Sequence, residues 1–242
     1  MKPALAICVP LLLAAMPAQA AGTNVDIALE NAHDSELTEG LGLLQAGKPA
    51  EAITVMDKVI AAYQQQHPTG INLCAANMAD AVKVSVLAMA VGDKQPAPAD
   101  GKPEHITVLG PGWCLALWAR GYALVDLNQS PLAEQALAKA VEMAPGNAHY
   151  VNEYAEIFKS RREWQRSFDL FKMAWERVDH DRKSPDARIA ARALRGMGYN
   201  QIELGDYKQA EKLFRQSLEY EPGSEAARRE LDYIARRKAT GT

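Results

Sequence analysis

Apolar positions in the second half of the chain recur at helical rather than strand spacing. In YNQIELGDYKQAEKLFRQSLEYEPGS, residues 199–224, Tyr207, Ala210, Leu213, Phe214 and Leu218 fall on one helical face. Lys208, Gln209, Glu211, Lys212, Arg215 and Gln216 fall on the other. Asp206, with Gln209 three residues on, marks a helix start, and Pro222 ends the unit. Good helix formers dominate and alternating β-branched runs are scarce, so the pattern predicts an all-α protein.

The same layout recurs upstream. Gly198 is followed twelve residues later by Ala210, Gly121 by Ala133, Gly40 by Ala52 and Ala155 by Ser167. Each pair is followed by a large apolar residue four further on: Phe214, Leu137, Met56 and Phe171. Gly47 and Gly205 make the turn inside their units, and Ser130-Pro131 serves in another, serine as cap and proline at the first helical position. Small residues on the first helix and twelve residues later let two antiparallel helices approach closely. One such hairpin cannot bury its outer face, so the copies must stack.

This spacing resembles the tetratricopeptide repeat, in units at about 33–66, 114–147, 148–181 and 191–224, with the 34-residue step of that family between Gly121 and Ala155. The resemblance implies a right-handed α-solenoid of stacked hairpins. Residues 224–239 then read as a C-terminal capping helix, started by Ser224, with Ala227, Leu231 and Ile234 covering the last repeat. Two steps are too long. Ala155 to Gly198 is 43 residues, the excess lying in VDHDRKSPDAR, where Ser184-Pro185 is expected to start a long helix. Gly40 to Gly121 is 81 residues, and 68–113 reads as an inserted helix, INLCAANMADAVKVSVLAMAV, followed by a Pro/Gly-rich loop.

The first twenty residues, MKPALAICVPLLLAAMPAQA, change the picture. Lys2, a short apolar core and Ala18-Gln19-Ala20 have the form of a signal peptide, which leaves 21–242 as the mature domain, in the periplasm or secreted, with no stable membrane span. A retained anchor is the alternative; a lipoprotein reading of Cys8 fails because most of the apolar run follows it. The chain of 242 residues has net charge −3, about −4 without Lys2, and nothing in that balance suggests nucleic acid. Cleavage leaves Cys74 and Cys114, which an oxidising compartment favours as a disulfide holding the inserted helix to the next repeat.

Candidate chemistry is sparse. HExxH, GxSxG and a complete phosphate-binding loop are absent, and the histidines are scattered. Asp179-His180-Asp181 is the densest ligand cluster, but Arg182 and Lys183 beside it disfavour a cation. No catalytic residue, metal or cofactor is expected. The resemblance points instead to a concave groove lined by the first helices. Helical projection places Trp118, Tyr122, Asn152, Glu156, Arg192, Arg195 and Tyr199 there, together with Asp126, His149, Lys159 and Glu203. Aromatic, Arg and Asn side chains suit a peptide. The family's carboxylate-gripping clamp is poorly matched: Trp118 and Tyr122 replace its first residues, and Glu153 its asparagine. The function implied is a non-enzymatic scaffold binding a protein or peptide in the cell envelope. The alternatives are a self-associating structural subunit, or an enzyme or glycan-binding module using Asp93, Asp100, Glu104 and His105 of the insert.

Overall fold

A computed structural model describes residues 24–30, 32–92 and 105–240. The expected signal segment, and Asp93, Asp100 and Glu104 of the insert, lie outside the described residues. The elements run β1 (Asn24–Ala28), α1 (Asp34–Gln45), α2 (Pro49–Gln66), β2 (Ile71–Cys74), α3 (Met78–Gly92), β3 (His105–Leu109), α4 (Gly112–Asp126), α5 (Ser130–Met143), α6 (Ala148–Ser160), α7 (Trp164–Arg177), α8 (Ala187–Glu203), α9 (Tyr207–Tyr220) and α10 (Glu225–Ala239).

The helices form an all-α solenoid. The hairpins α1–α2, α4–α5, α6–α7 and α8–α9 stack in order, and α10 closes the array against α9. Helix α2 packs directly on α4, so the insertion leaves the stack unbroken. The amphipathic stripes supply the core: Met56, Leu137, Phe171 and Phe214, one per hairpin, are completely buried.

Close approach within each hairpin works differently from the twelve-residue expectation. A Cβ added at Gly121 would come within 2.6 Å of Leu137 Cγ, and one at Gly198 within 2.9 Å of the Phe214 ring. The small residue thus accommodates the large side chain sixteen positions on. The residue at twelve lies against backbone, as shown by Ser167, whose hydroxyl donates to the Ala155 carbonyl at 3.0 Å. Seven positions after each small residue the turn is left-handed, with positive φ at Gly47, Asn128, Arg162 and Gly205. Asn128 therefore makes the turn in the second unit. Ser130 is not its cap; the cap position is Gln129, and the Ser130 hydroxyl accepts from Arg161. Nor does Ser184-Pro185 begin a helix. Asp179, Asp181 and Asp186 side chains accept from loop N–H groups, and α8 starts at Ala187.

The insert holds the main departure. Residues 71–74 are a strand rather than the start of a helix, and 105–109 are a strand rather than loop. With β1 they make a parallel sheet in the order β1-β3-β2, pairing Ile27 with Val108 and Leu73 with Val108. Side chains alternate across it. Val25, Leu73, Ile106 and Val108 pack under Ala81 and Val84 of α3, while Cys74 and Leu109 enter the core with α2 and α4. Burial of the central strand from both sides is what a parallel sheet requires. Gly70 has φ +83°, and a side chain there would meet the His105 carbonyl at 2.7 Å.

Candidate functional site

Successive first helices α4, α6 and α8 put equivalent residues side by side, and the register sorts them. Immediately after the small residue stand Tyr122, Glu156 and Tyr199. Tyr122 is 40% exposed, and the other two are half-buried. Three positions before it stand Trp118, Asn152 and Arg195, of which the first two turn toward the neighbouring hairpin. Trp118 is half-buried and packs on Tyr122, His149 and Tyr150 at ring separations of 5.9, 5.0 and 6.3 Å. Asn152 is wholly buried, and its amide donates to the Ile189 carbonyl at 3.1 Å, fastening α6 to α8. The expectation that Asn152 lines the groove is therefore wrong: its helical angle carries it between hairpins. Arg195 is paired with Glu221.

The charges between the aromatic ends are largely satisfied within the protein. Arg192 makes a two-pronged bond to Glu153, at 2.5 and 2.9 Å, and lies 3.7 Å from Glu156. Burial works against the Arg192 charge, but Glu153 and Glu156 outweigh it and raise its pKa. Glu156 also holds Lys159, whose ammonium sits 5.3 Å from the Tyr199 ring centroid. Trp164 meets Tyr199 edge-on at 6.1 Å. His149 lies between Trp118 and this network, and its pKa is lowered by burial, opposed by Glu153 and reinforced by Arg192.

A cleft of about 300 Å³ opens among Glu156, Lys159, Arg192, Arg195, Tyr199 and Glu230. Burial raises the pKa of Glu230, opposed by Arg229 and reinforced by Glu203. Burial, Glu203 and Glu230 likewise raise that of Tyr199. Glu230 and Trp164 were not anticipated from the sequence. Glu230 was accessible to it, standing 34 residues after Gly196, so that α10 acts as the first helix of a further unit. Trp164 opens the second helix of its hairpin, and nothing local directs it to Tyr199.

Other candidates resolve differently. His180 stacks on Trp175 at 4.2 Å, and its Nε2 bonds the Trp175 carbonyl, so the acidic turn is locally engaged. Among the described residues no group of His, Cys, Asp and Glu has the arrangement of a metal site. No described helix is long and apolar enough to cross a membrane. Cys74, at the end of β2, and Cys114, in the first turn of α4, have Cα atoms 6.2 Å apart, within the reach of a disulfide.

Comparison with known proteins places these elements. Residues 119–187 and 191–224 each match the tetratricopeptide repeat. No curated protein matches in sequence. Among solved structures, PilF of Pseudomonas aeruginosa superposes with a TM-score of 0.56 at 14% identity, over 86% of this chain and 70% of that one. MamA superposes with a TM-score of 0.52 at 14% identity, over 84% of both chains. At such identities the likeness is one of fold.

Proposed function

We propose that this chain, a tetratricopeptide-repeat protein across residues 119–187 and 191–224, is a non-enzymatic scaffold that binds a protein or peptide partner in its groove. The observation that carries this reading is the alignment of Tyr122, Glu156 and Tyr199, one per repeat, along one side of α4, α6 and α8. Tyrosine offers a large apolar ring and a polar tip, a combination suited to a peptide's side chains and amides. Arg192 and Arg195 serve chiefly to hold neighbouring helices, since both are already paired with carboxylates. A partner therefore reads the aromatic positions first and the charged cleft second.

The scaffold operates in the cell envelope or outside the cell. The signal-like form of residues 1–20 supports this, and so does the placement of two cysteines within reach of each other. Intact-mass analysis of protein from its native compartment tests the location, with a mature chain starting at Ala21 as the expected result.

Affinity capture from periplasmic extract, followed by titration of the captured partner, tests the groove. Tyr122→Ala and Tyr199→Ala each weaken binding about tenfold, or ~1.4 kcal/mol, with the helical circular-dichroism signal unchanged. Normal binding by both folded variants removes the groove as the site. Unchanged affinity in one alone confines the contact to the other end.

A further inference from the structure

The sheet ends in an open strand. β1 packs against β3 on one side, and no described element pairs with its other side. The Ala28 carbonyl accepts from the Gly110 N–H, which turns the backbone groups of even-numbered residues toward β3 and those of Val25, Ile27 and Leu29 outward. Proteins usually blunt such an edge with lysine, proline or a covering element. β1 has neither residue, and its one charge, Asp26, leans on His105 at 3.4 Å on the opposite face of the sheet.

The edge is apolar on the α3 side. Ile27 is 42% exposed there, and α3, which packs on β3 from that face, carries an apolar stripe of its own, Met78, Val82 and Val86 at helical spacing, each more than half exposed. The two observations are independent: one concerns unpaired backbone, the other uncovered side chains.

We infer that β1 is a self-association edge, pairing antiparallel with β1 of a second copy of this chain to join two three-stranded sheets into one of six strands. The sequence selects the register. Centring the two-fold axis on Ile27 sets Ile27 against Ile27 of the second copy and Val25 against Leu29. Their outward backbone groups are then mutually satisfied and all three side chains meet on the α3 face. The same register sets Asp26 opposite Ala28. A shift centred on Asp26 would bring two carboxylates face to face, which is unfavourable. The strand is thus complementary to itself in hydrogen bonding and in apolar face, and this register keeps its two carboxylates out of direct opposition.

The test uses the complete chain in a Cys8→Ala background, leaving Cys74 and Cys114 as they are. Sedimentation equilibrium over a wide concentration range is expected to give a monomer–dimer equilibrium. Ile27→Lys abolishes the dimer while leaving the melting temperature within a few degrees. Directly opposed residues of a hydrogen-bonded antiparallel pair have Cα atoms about 5.5 Å apart, so Ile27→Cys forms a covalent dimer on mild oxidation. Asn24→Cys does not, because the register separates its two copies. A monomer at every concentration overturns the inference. So does a dimer that survives Ile27→Lys, or one that cross-links equally through Asn24→Cys.

Discussion

Arg192 of α8 grips Glu153 of α6 with two guanidinium nitrogens, at 2.5 and 2.9 Å, across the step where nine extra residues separate the repeats. Glu153 is 8% exposed, so the pair is held largely out of water. Removing one partner leaves the other charge desolvated, which costs far more than the pair contributes when intact. Glu153→Gln is expected to destabilise the protein by ~2–3 kcal/mol, at the low end because Arg192 keeps some solvent contact. The double variant Glu153→Leu/Arg192→Met recovers most of that loss. Urea unfolding of the three proteins checks the cycle, and a double variant no better than the single one contradicts it.

His149 makes the same region sensitive to acid. Its folded pKa lies below the ordinary histidine value because burial disfavours the imidazolium, with Arg192 adding repulsion and Glu153 opposing both. Below about pH 6.5 the unfolded chain takes up a proton that the folded chain refuses. Stability is therefore full above the unfolded value and declines as pH falls toward the folded one. Urea midpoints between pH 7.5 and 5 should fall for the wild type and fall less for His149→Gln. Equal slopes in the two proteins would show that His149 is not the group responsible.

The repeats were legible because their signals are local. A small residue, a turn seven positions later and a large apolar residue sixteen positions later all sit within one hairpin. The groove was legible only in part. Trp118, Asn152 and Arg195 share one helical angle, and Tyr122, Glu156 and Tyr199 another. Four positions along a helix differ by only about 40° on a projection, yet the first set is partly or wholly enclosed and the second borders the groove. The sheet was missed for a different reason. Its strands are four or five residues long and join segments as distant as Val25 and Ile106, so no local period announces them. The run HITVL did carry a strand signal, being rich in β-branched residues and bounded by Gly101-Lys102-Pro103 and Gly110-Pro111.

The shared turn also locates a site of backbone strain. Arg162 has φ 62° at the position where Gly47 and Gly205 stand in two other hairpins. A side chain in the left-handed region costs ~1–2 kcal/mol, and glycine's extra freedom in the unfolded chain returns part of that. Arg162→Gly is expected to raise stability by ~0.5–1 kcal/mol. Gly205→Ala, which introduces the same strain, lowers it. Thermal melts of both variants decide the matter, and a lower melting temperature for Arg162→Gly contradicts the argument.

Cys74 and Cys114 join the sheet to the solenoid at a point where few other contacts do so. β2 ends at Cys74, α4 has just begun at Cys114, and the segment between them contains α3 and β3. A bond there closes a loop of 40 residues, and restricting that loop in the unfolded chain stabilises the fold by ~2–4 kcal/mol. For a chain of this size that corresponds to roughly 5–15 °C in melting temperature. Protein purified without reductant should show no reactive thiol at either position, and dithiothreitol should lower its melting temperature by that amount. Cys74→Ser should melt at the lower temperature with or without dithiothreitol, because it has no bond left to reduce. Partner affinity in the groove should stay within about twofold, since Tyr122 lies eight residues beyond Cys114 along α4 and Tyr199 stands two hairpins further on, in α8. Two free thiols in unreduced protein would show that the bond does not form, and would remove one of the two supports for an oxidising location.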